Sequence, residues 1–382
     1  MKRILVTAGC VYGRLDDNKL VGNRVRGIWA TKFASHLARK DHEVTVLLPD
    51  TFDKDKALNL VQLQNLHGGV QVVTHNGFYD YMEKCLNLAP EMDAAVLAAA
   101  VVNWIPTDPV KGKMVTKGYQ EQDRISIEFE LAPRVINWMK TANPNLTLIG
   151  CKMLIGANHE DLIDAAYNLL LTARCNIVVA NDMAHGLKTK HIVHKDRAVI
   201  SHKGAFDNLY SDLTDIIEDE YYQTVSVPRH VSIKGEPHWK QQMRESCQRF
   251  DAIVDENRDR FMPVGQRVFG ALAVRVPDFG WLTSPREKGK MFSSKDAVVV
   301  TNLDTAAHQV SVWGIGNKAT LNAPLLIRTG EAFEADAVLH LHDEMVAPNV
   351  VHAPPGTIRD NNRHIPGPEF NILHHGFIRC LF

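Results

Sequence analysis

The chain has 382 residues, more than one core usually organises, so two domains are expected. Hydrophobic residues at 45% and charged residues at 23% are globular values that exclude disordered and fibrous classes. Lys and Arg number 43 against 44 Asp and Glu, without the basic excess of a nucleic-acid or anionic-membrane binder.

The chain opens on a strand at residues 4–7, with no signal-type apolar region before it. A Gly-containing loop then runs to Gly27, and residues 28–39 show helical spacing through Ile28, Phe33 and Leu37. Further strands are expected at 43–48, 94–101, 147–151 and 176–180, with helices at 130–141 and 160–173. Strands without polar alternation, separated by helices, imply a doubly wound, Rossmann-like parallel sheet covered on both faces. Its ligands belong at the carboxyl ends of the strands. A polar connector rich in breakers, including Pro228 and Gly235, precedes a charged amphipathic helix at 239–257. Strands at 271–276, 297–302, 309–313 and 337–341, with a helix at 321–335, make the second domain α+β. The expected domains are 1–224 and 225–382. The longest apolar run, from Ala94 to Val102, is short of the roughly 20 residues a membrane span needs. Six scattered cysteines without a C-x-x-C pair read as reduced thiols. A soluble, cytoplasmic protein with small-molecule partners is expected, with neither nucleic acid nor membrane among them.

Three segments of the first domain carry chemistry. Leu15 to Gly27 lies between a strand and a helix N-terminus, where backbone N–H groups suit a phosphate; the alternative is an ordinary strand-to-helix turn. Ala98-Ala99-Ala100-Val101-Val102-Asn103-Trp104 leads to the lysines of 111–117, which either hold anionic oxygens or form a solvated loop. Val178-Val179-Ala180-Asn181-Asp182 ends a strand in polar residues, a ligand edge or a helix cap.

Taken together, these segments resemble the phosphopantothenate–cysteine ligase (phosphopantothenoylcysteine synthetase) family over residues 1–215. Ile4-Leu5-Val6-Thr7-Ala8-Gly9 is similar to its opening strand. Leu15-Asp16 through Asn23 and Gly27 is similar to its Asp-to-Gly loop, and Asn176 to Asp182 to its Ile-Val-Ala-Asn-Asp strand. The resemblance implies activation of a carboxylate by CTP or ATP with Mg²⁺, followed by amide formation. It implies that Asn23 holds the acyl-nucleotide and that Lys113 and Lys117 meet the triphosphate. It also implies that Gly9, Asp16, Lys19, Gly27, Ala100, Asn103, Asn181 and Asp182 line the nucleotide. Lys19 replaces the family's Arg, Asn103-Trp104 its Asp-Tyr pair, and Val25 to Ala30 its Ser-Ser-Gly-Lys-Met-Gly turn.

The 18 histidines are concentrated at the far end: His340, His342, His352, His364, His374 and His375 fall in the last 43 residues. His340 and His342 stand at i and i+2 on one expected strand, so both rings share a face. Two imidazoles there offer a metal site, a solvent-facing pair being the alternative. Phe269 to Arg275, Leu282-Thr283-Ser284-Pro285, Ser294 to Val300 and Val338-Leu339-His340-Leu341-His342 resemble the class II aldolase/adducin family. That resemblance implies an α/β/α domain with Zn²⁺ on His340, His342 and His375, and lyase-type chemistry in which the metal stabilises an enediolate. Asn322 stands where the family's proton-transferring Glu is expected, and Glu344 is a substitute carboxylate.

The sequence therefore reads as a ligase-like nucleotide-binding domain fused to a zinc-binding, aldolase-like domain, and both resemblances imply a homo-oligomer. Two other readings remain open. One is a zinc-dependent lyase, epimerase or dehydratase whose first half only binds nucleotide; the other is a non-catalytic protein built from two altered enzyme folds.

Overall fold

The computed structural model describes the chain except residues 54, 56–58, 61–69, 185–187, 196, 205, 228–235, 265–266, 344–347, 351–352, 354–355 and 373–375. It divides into two compact units, Met1–Glu218 and Asp219–Phe382. The strand Gln223–Val227, which spans the expected join at 224/225, belongs to the sheet of the second unit.

Among the described residues, the first unit has an eight-stranded sheet. Its strands are β1 (Arg3–Thr7), β2 (Glu43–Pro49), β3 (Val70–His75), β4 (Ala94–Leu97), β5 (Thr147–Leu154), β6 (Ile177–Asp182), β7 (Thr189–Val193) and β8 (Val199–Lys203). The spatial order is β3-β2-β1-β4-β5-β6-β7-β8, parallel through β6 and antiparallel beyond it. Helices α1 (Ile28–Ala38), α2 (Phe78–Leu88), α3 (Ile136–Ala142), α4 (His159–Thr172) and α5 (Asp207–Glu218) accompany it. Ile4, Val6, Val44, Val46, Val96, Ile149 and Val179 pack with Phe33 and Leu37 of α1 and Leu209 and Leu213 of α5. The alternate residues Leu5, Leu47, Ala95, Leu148 and Val178 are buried as well. Burial on both faces is why these strands read as unbroken apolar runs. Strand order reverses between β1 and β4, so their carboxyl ends flank the crevice where such sheets bind ligands.

Two expected elements differ. The helix expected over 130–141 starts only at Ile136; Phe129–Leu131 instead pairs antiparallel with Trp104–Pro106. Pro133 accounts for this, because the residue before a proline is driven out of the helical region. The strand expected over 94–101 breaks after Leu97 and resumes at Ala100–Val101. The sequence reading left 70–75, 78–88 and 189–218 unassigned, although β3, α2, β7, β8 and α5 occupy most of them.

Among the described residues of the second unit, the main sheet has the strands β9 (Gln223–Val227), β10 (Ala271–Val276), β11 (Gly280–Thr283), β12 (Val298–Asp304), β13 (Gln309–Trp313), β14 (Ala337–Leu341), β15 (Asn349–Val350), β16 (Glu369–Ile372) and β17 (Gly376–Leu381). They form one sheet in the order β9-β13-β12-β11-β10-β14-β17-β16-β15, antiparallel except for the outermost pair at each edge. Helix α6 (Glu236–Glu256) packs Phe250, Ile253 and Val254 with Leu272, Val274 and Leu339. Helix α7 (Ala323–Ala332) packs Leu325, Leu326 and Ile327 with Val338, Phe370 and Ile378. Because neighbouring residues of β10 and β14 divide between these two clusters, the sheet carries a helix on each face.

Candidate functional site

In the first unit, the segments leaving β1 and β4 continue to pair beyond the sheet. Cys10–Val11 runs parallel to Ala100–Val101, and the Ala100 N–H donates to the Gly9 carbonyl at 2.9 Å. Gly27 caps α1 with φ +68°, and a Cβ on it would fall 2.5 Å from the Gly9 nitrogen. Two backbones thus meet at a helix N-terminus with no side chain between them, an arrangement that exposes N–H groups to an anion.

Asn23 returns from the same loop. Its Nδ2 donates to the Ala100 carbonyl at 3.3 Å and the Val101 carbonyl at 3.0 Å. Carbonyls only accept, so the amide nitrogen faces them and Oδ1 is left as an acceptor on an exposed residue.

Asp16, 1% exposed, organises the surroundings. Its carboxylate accepts from the backbone N–H groups of Asn18 at 2.7 Å, Lys19 at 2.5 Å and Met114 at 2.9 Å, and from Lys19 Nζ at 3.2 Å. The Met114 bond, followed by those of Asn18 and Lys19, holds its pKa well below the usual carboxylate range. Asp17 and Gly112 exchange two more bonds, of 2.9 and 2.8 Å. The segments read separately in the sequence, 15–27 and 98–117, are therefore joined into one surface. Asp16 serves it as an internal anchor, with Lys19 partly committed to that anchor. Lys113 and Lys117 are exposed on the joined loop, and neither has an ion-pair partner among the described residues. Asn103 is exposed, and its carbonyl accepts from the Ala132 N–H at 2.8 Å.

Asn181 and Asp182 end β6. Asp182 Oδ1 accepts from Gly156 N at 3.1 Å and Ala184 N at 2.7 Å, and Oδ2 from Ala157 N at 2.8 Å. It fixes the turn that leads into α4, whose N-cap Asn158 accepts from the Asp161 N–H. Asn181 Oδ1 accepts from Lys190 Nζ at 3.3 Å. Sequence reasoning missed Lys190. It lies on β7, 7% exposed, with its ammonium 5.1 Å from the Trp29 ring centroid and 5.7 Å from that of Phe206. Burial lowers its pKa. The polar run Thr189-Lys190-His191 conceals the burial, and no local pattern would have revealed it.

In the second unit, His340 is 2% exposed on β14, opposite Ala271 and Ile378. Its Nδ1 lies 3.0 Å from the Phe377 carbonyl. A carbonyl cannot donate, so Nδ1 carries the proton and Nε2 of the neutral ring carries the lone pair, the tautomer a metal ligand needs. His342, expected on the same strand, lies in the bend just past β14; its ring centroid is 4.9 Å from that of His340 and 5.9 Å from that of Phe269. Arg260 binds Asp343 Oδ2 through Nε at 2.9 Å and Nη2 at 2.7 Å. Gly376 lies against both histidines: a Cβ there would fall 3.0 Å from His340 Cε1 and 3.1 Å from the His342 Cα. The expected third ligand His375, together with His352, His374 and Glu344, lies outside the described residues. Among the described residues, no group of three or more His, Cys, Asp or Glu side chains stands close enough to hold a metal ion. Asn322 is 7% exposed at the N-cap of α7, and His364 is exposed.

Among the described residues, no helix is long and apolar enough to cross a membrane. Residues 1–209 match the family described as DNA/pantothenate metabolism flavoprotein C-terminal domain. The coenzyme A biosynthesis bifunctional protein CoaBC of Thermococcus kodakarensis is 29% identical over 193 residues, 50% of this chain and 44% of that protein. The chain thus spans less than half the length of this curated relative. A solved DNA/pantothenate metabolism flavoprotein from Streptococcus pneumoniae overlaps 57% of this chain and 99% of its own, at 15% identity and a TM-score of 0.47. L-fuculose 1-phosphate aldolase from Glaciozyma antarctica PI12 overlaps 39% of this chain and 68% of its own, at 13% identity and a TM-score of 0.27. Neither structural overlap is close enough to carry an argument. The family match over 1–209 is the finding with consequence, and through it the chain belongs to the DNA/pantothenate metabolism flavoprotein C-terminal domain family.

Proposed function

We propose that the first unit is a nucleotide-dependent carboxylate–amine ligase of the phosphopantothenate–cysteine type. The observation that carries this reading is the hold of Asn23 on the carbonyls of Ala100 and Val101, beside the Gly9–Gly27 contact at the switch point of a parallel sheet. Family membership and the relative named for coenzyme A biosynthesis support it. In the first step the acid's carboxylate attacks the α-phosphorus of CTP or ATP, brought in with Mg²⁺, and pyrophosphate leaves. In the second step the amine attacks the acyl carbon; an amide forms, the nucleoside monophosphate leaves, and the amine gives up a proton. Backbone N–H groups at Gly27 and the start of α1 would hold phosphate oxygens. Lys113 and Lys117 would close on the triphosphate from the loop that Asp16 anchors. Asn23 Oδ1 would accept an N–H or O–H of the bound acid or incoming amine and keep the acyl-nucleotide aligned with it.

Pyrophosphate release from CTP or ATP in the presence of phosphopantothenate, and its completion on adding cysteine, tests the reading. Asn23→Ala is expected to lower that rate about 10²-fold or more while leaving the fold intact. No release from either nucleotide would overturn it.

The second reading, a zinc site for lyase-type chemistry in the second unit, is favoured by one observation: the tautomer of His340 set by the Phe377 carbonyl, with His342 at its side. His340 and His342 fit as two ligands of such an ion, and His375, next to the closely packed Gly376, would be the third. A bound Zn²⁺ would polarise a substrate carbonyl or hydroxyl as a Lewis acid. His340 would hold its ring in place through the Phe377 carbonyl, and the Arg260–Asp343 pair would fix the segment that follows His342. Metal analysis of the purified protein is expected to show about one Zn²⁺ per chain, lost in His340→Ala. A metal-free wild type that stays metal-free with added zinc overturns this reading.

A further inference from the structure

We propose that Lys190 is a positioning residue that locks the amide of Asn181, so that Asn181 offers a ligand in the crevice a hydrogen-bond donor and no acceptor. In naming the contact made to a nucleotide base, this rests on the nucleotide-binding reading above.

Lys190 sits almost wholly inside the first unit, where a charged amine is costly to keep. No carboxylate pairs with it among the described residues. The indole of Trp29 and the ring of Phe206 face its ammonium, and its hydrogen bond goes to Asn181 Oδ1 at 3.3 Å. An ammonium has three donors and no acceptor, so the Asn181 atom in front of it must be oxygen. The other half of the amide is thereby decided. Asn181 Nδ2 donates to no described residue, and it is not among the nitrogens sealed from solvent without a partner. An asparagine free to flip would present either edge; this one is held to a single edge by a buried cation.

The position gives that edge meaning. Asn181 stands at the carboxyl end of β6, and Trp29 occupies the first turn of α1, just past Gly27. The amide nitrogen that Lys190 turns outward therefore belongs to the strand ends at which a parallel sheet takes its ligand. Asn23 is locked with the opposite polarity: its nitrogen faces two carbonyls and its oxygen remains available. The carboxyl ends of the sheet thus carry one amide acceptor and one amide donor, each set by a partner that permits a single orientation. A donor at Asn181 recognises an acceptor of a base, such as N3 of cytosine or O2 of a pyrimidine.

The test uses the whole chain with CTP, UTP, ATP and inorganic tripolyphosphate, by equilibrium binding. Lys190→Met keeps the length of the side chain and removes its donors. It is expected to reduce the preference among the three nucleotides about tenfold while leaving tripolyphosphate affinity unchanged, because only the base contact is lost. Lys190→Arg keeps a donor-only group and is expected to retain the preference. A Lys190→Met protein with the wild-type preference overturns the proposal, as does one that loses tripolyphosphate binding in proportion, since that reports a general structural role. The orientation is also read without any nucleotide. The side-chain amide signal of Asn181, assigned in a ¹⁵N–¹H spectrum by its absence from Asn181→Asp, is expected to move in Lys190→Met and stay near its place in Lys190→Arg. A signal that does not move in Lys190→Met overturns the locking. A wild type that binds no nucleotide overturns the base contact and the nucleotide reading together, and the amide signal then decides the locking separately.

Discussion

The crevice of the first unit and the histidine pair of the second reach their arrangements by opposite routes. Gly9, Asn23, Ala100 and Met114 come from segments far apart in the chain, and the Ala100–Gly9, Asn23–Ala100 and Asp16–Met114 bonds join those segments at one edge of the sheet, where parallel strands deliver their carboxyl ends. His340 lies on β14 and His342 in the bend one residue past its end, so the two rings come together, 4.9 Å between centroids, through local chain alone. A site made of loops needs internal organisers, and Asp16 and Asp182 supply them by saturating their carboxylates with backbone N–H groups. A strand-borne ring such as that of His340 needs only a neighbour that orients it, as the Phe377 carbonyl does. Loop-built sites should therefore be lost through their anchors and strand-built sites through their packing.

Gly27→Ala is expected to strike hardest. The residue holds φ +68°, and the added methyl meets the Gly9 backbone, which cannot swing aside. A loss of about 3 kcal/mol in urea denaturation of the first unit is expected. A change below about 1 kcal/mol would mean that the two backbones are not held together. The second unit offers the counterpart. Gly330 lies inside α7, where Gly→Ala would ordinarily stabilise by about 1 kcal/mol. Here the new Cβ would sit 2.2 Å from Trp281 Cη2 in the core, so the sign reverses to a loss of about 2 kcal/mol. A raised Tm would show that the indole shifts freely.

The Asp16 anchor sharpens the comparison through pH. Its pKa is depressed in the folded protein, so its contribution is complete above the unfolded carboxylate range near 4 and is lost as pH falls toward the folded value. Asp16→Asn is expected to lower the Tm at pH 7 and to flatten its decline below pH 4, measured by thermal unfolding across pH. An unaltered acid limb would remove Asp16 as the anchor. The smallest effect belongs to Lys113→Ala, an exposed change expected within about 0.5 kcal/mol in stability. Nucleotide affinity in the same variant should fall about tenfold if the anchored loop meets the triphosphate.

Much of the first sheet was legible because burial on both faces writes continuous apolar strands: the starts of β2, β4 and β5 fall where expected, β1 begins one residue earlier and β6 one residue later. The expected helix over 130–141 was cut back by Pro133 to start at Ile136, and its first residues pair with Trp104–Pro106 instead. Asn23 was legible by its place in a motif, whereas the work of Asp16 was not. The partners of its carboxylate include the Met114 N–H, far along the chain, and no spacing rule connects the two. Lys190 was missed for the related reason that lysine is ordinarily exposed, and a short antiparallel extension carries little periodic signal.

By itself the sequence determined the parallel part of the first sheet, the glycine turn before α1, the asparagine that follows β1 and the position of His340 on β14. These follow from local chemistry: apolar period, backbone freedom and the alternation of a strand. Only the tertiary structure decided that Asp16 and Asp182 point inward to hold loops, and that Asn23 and Asn181 are turned in opposite senses. The reason is physical. A carboxylate or an amide has no preferred role in the chain, and it takes one from the donors and acceptors that folding brings to it.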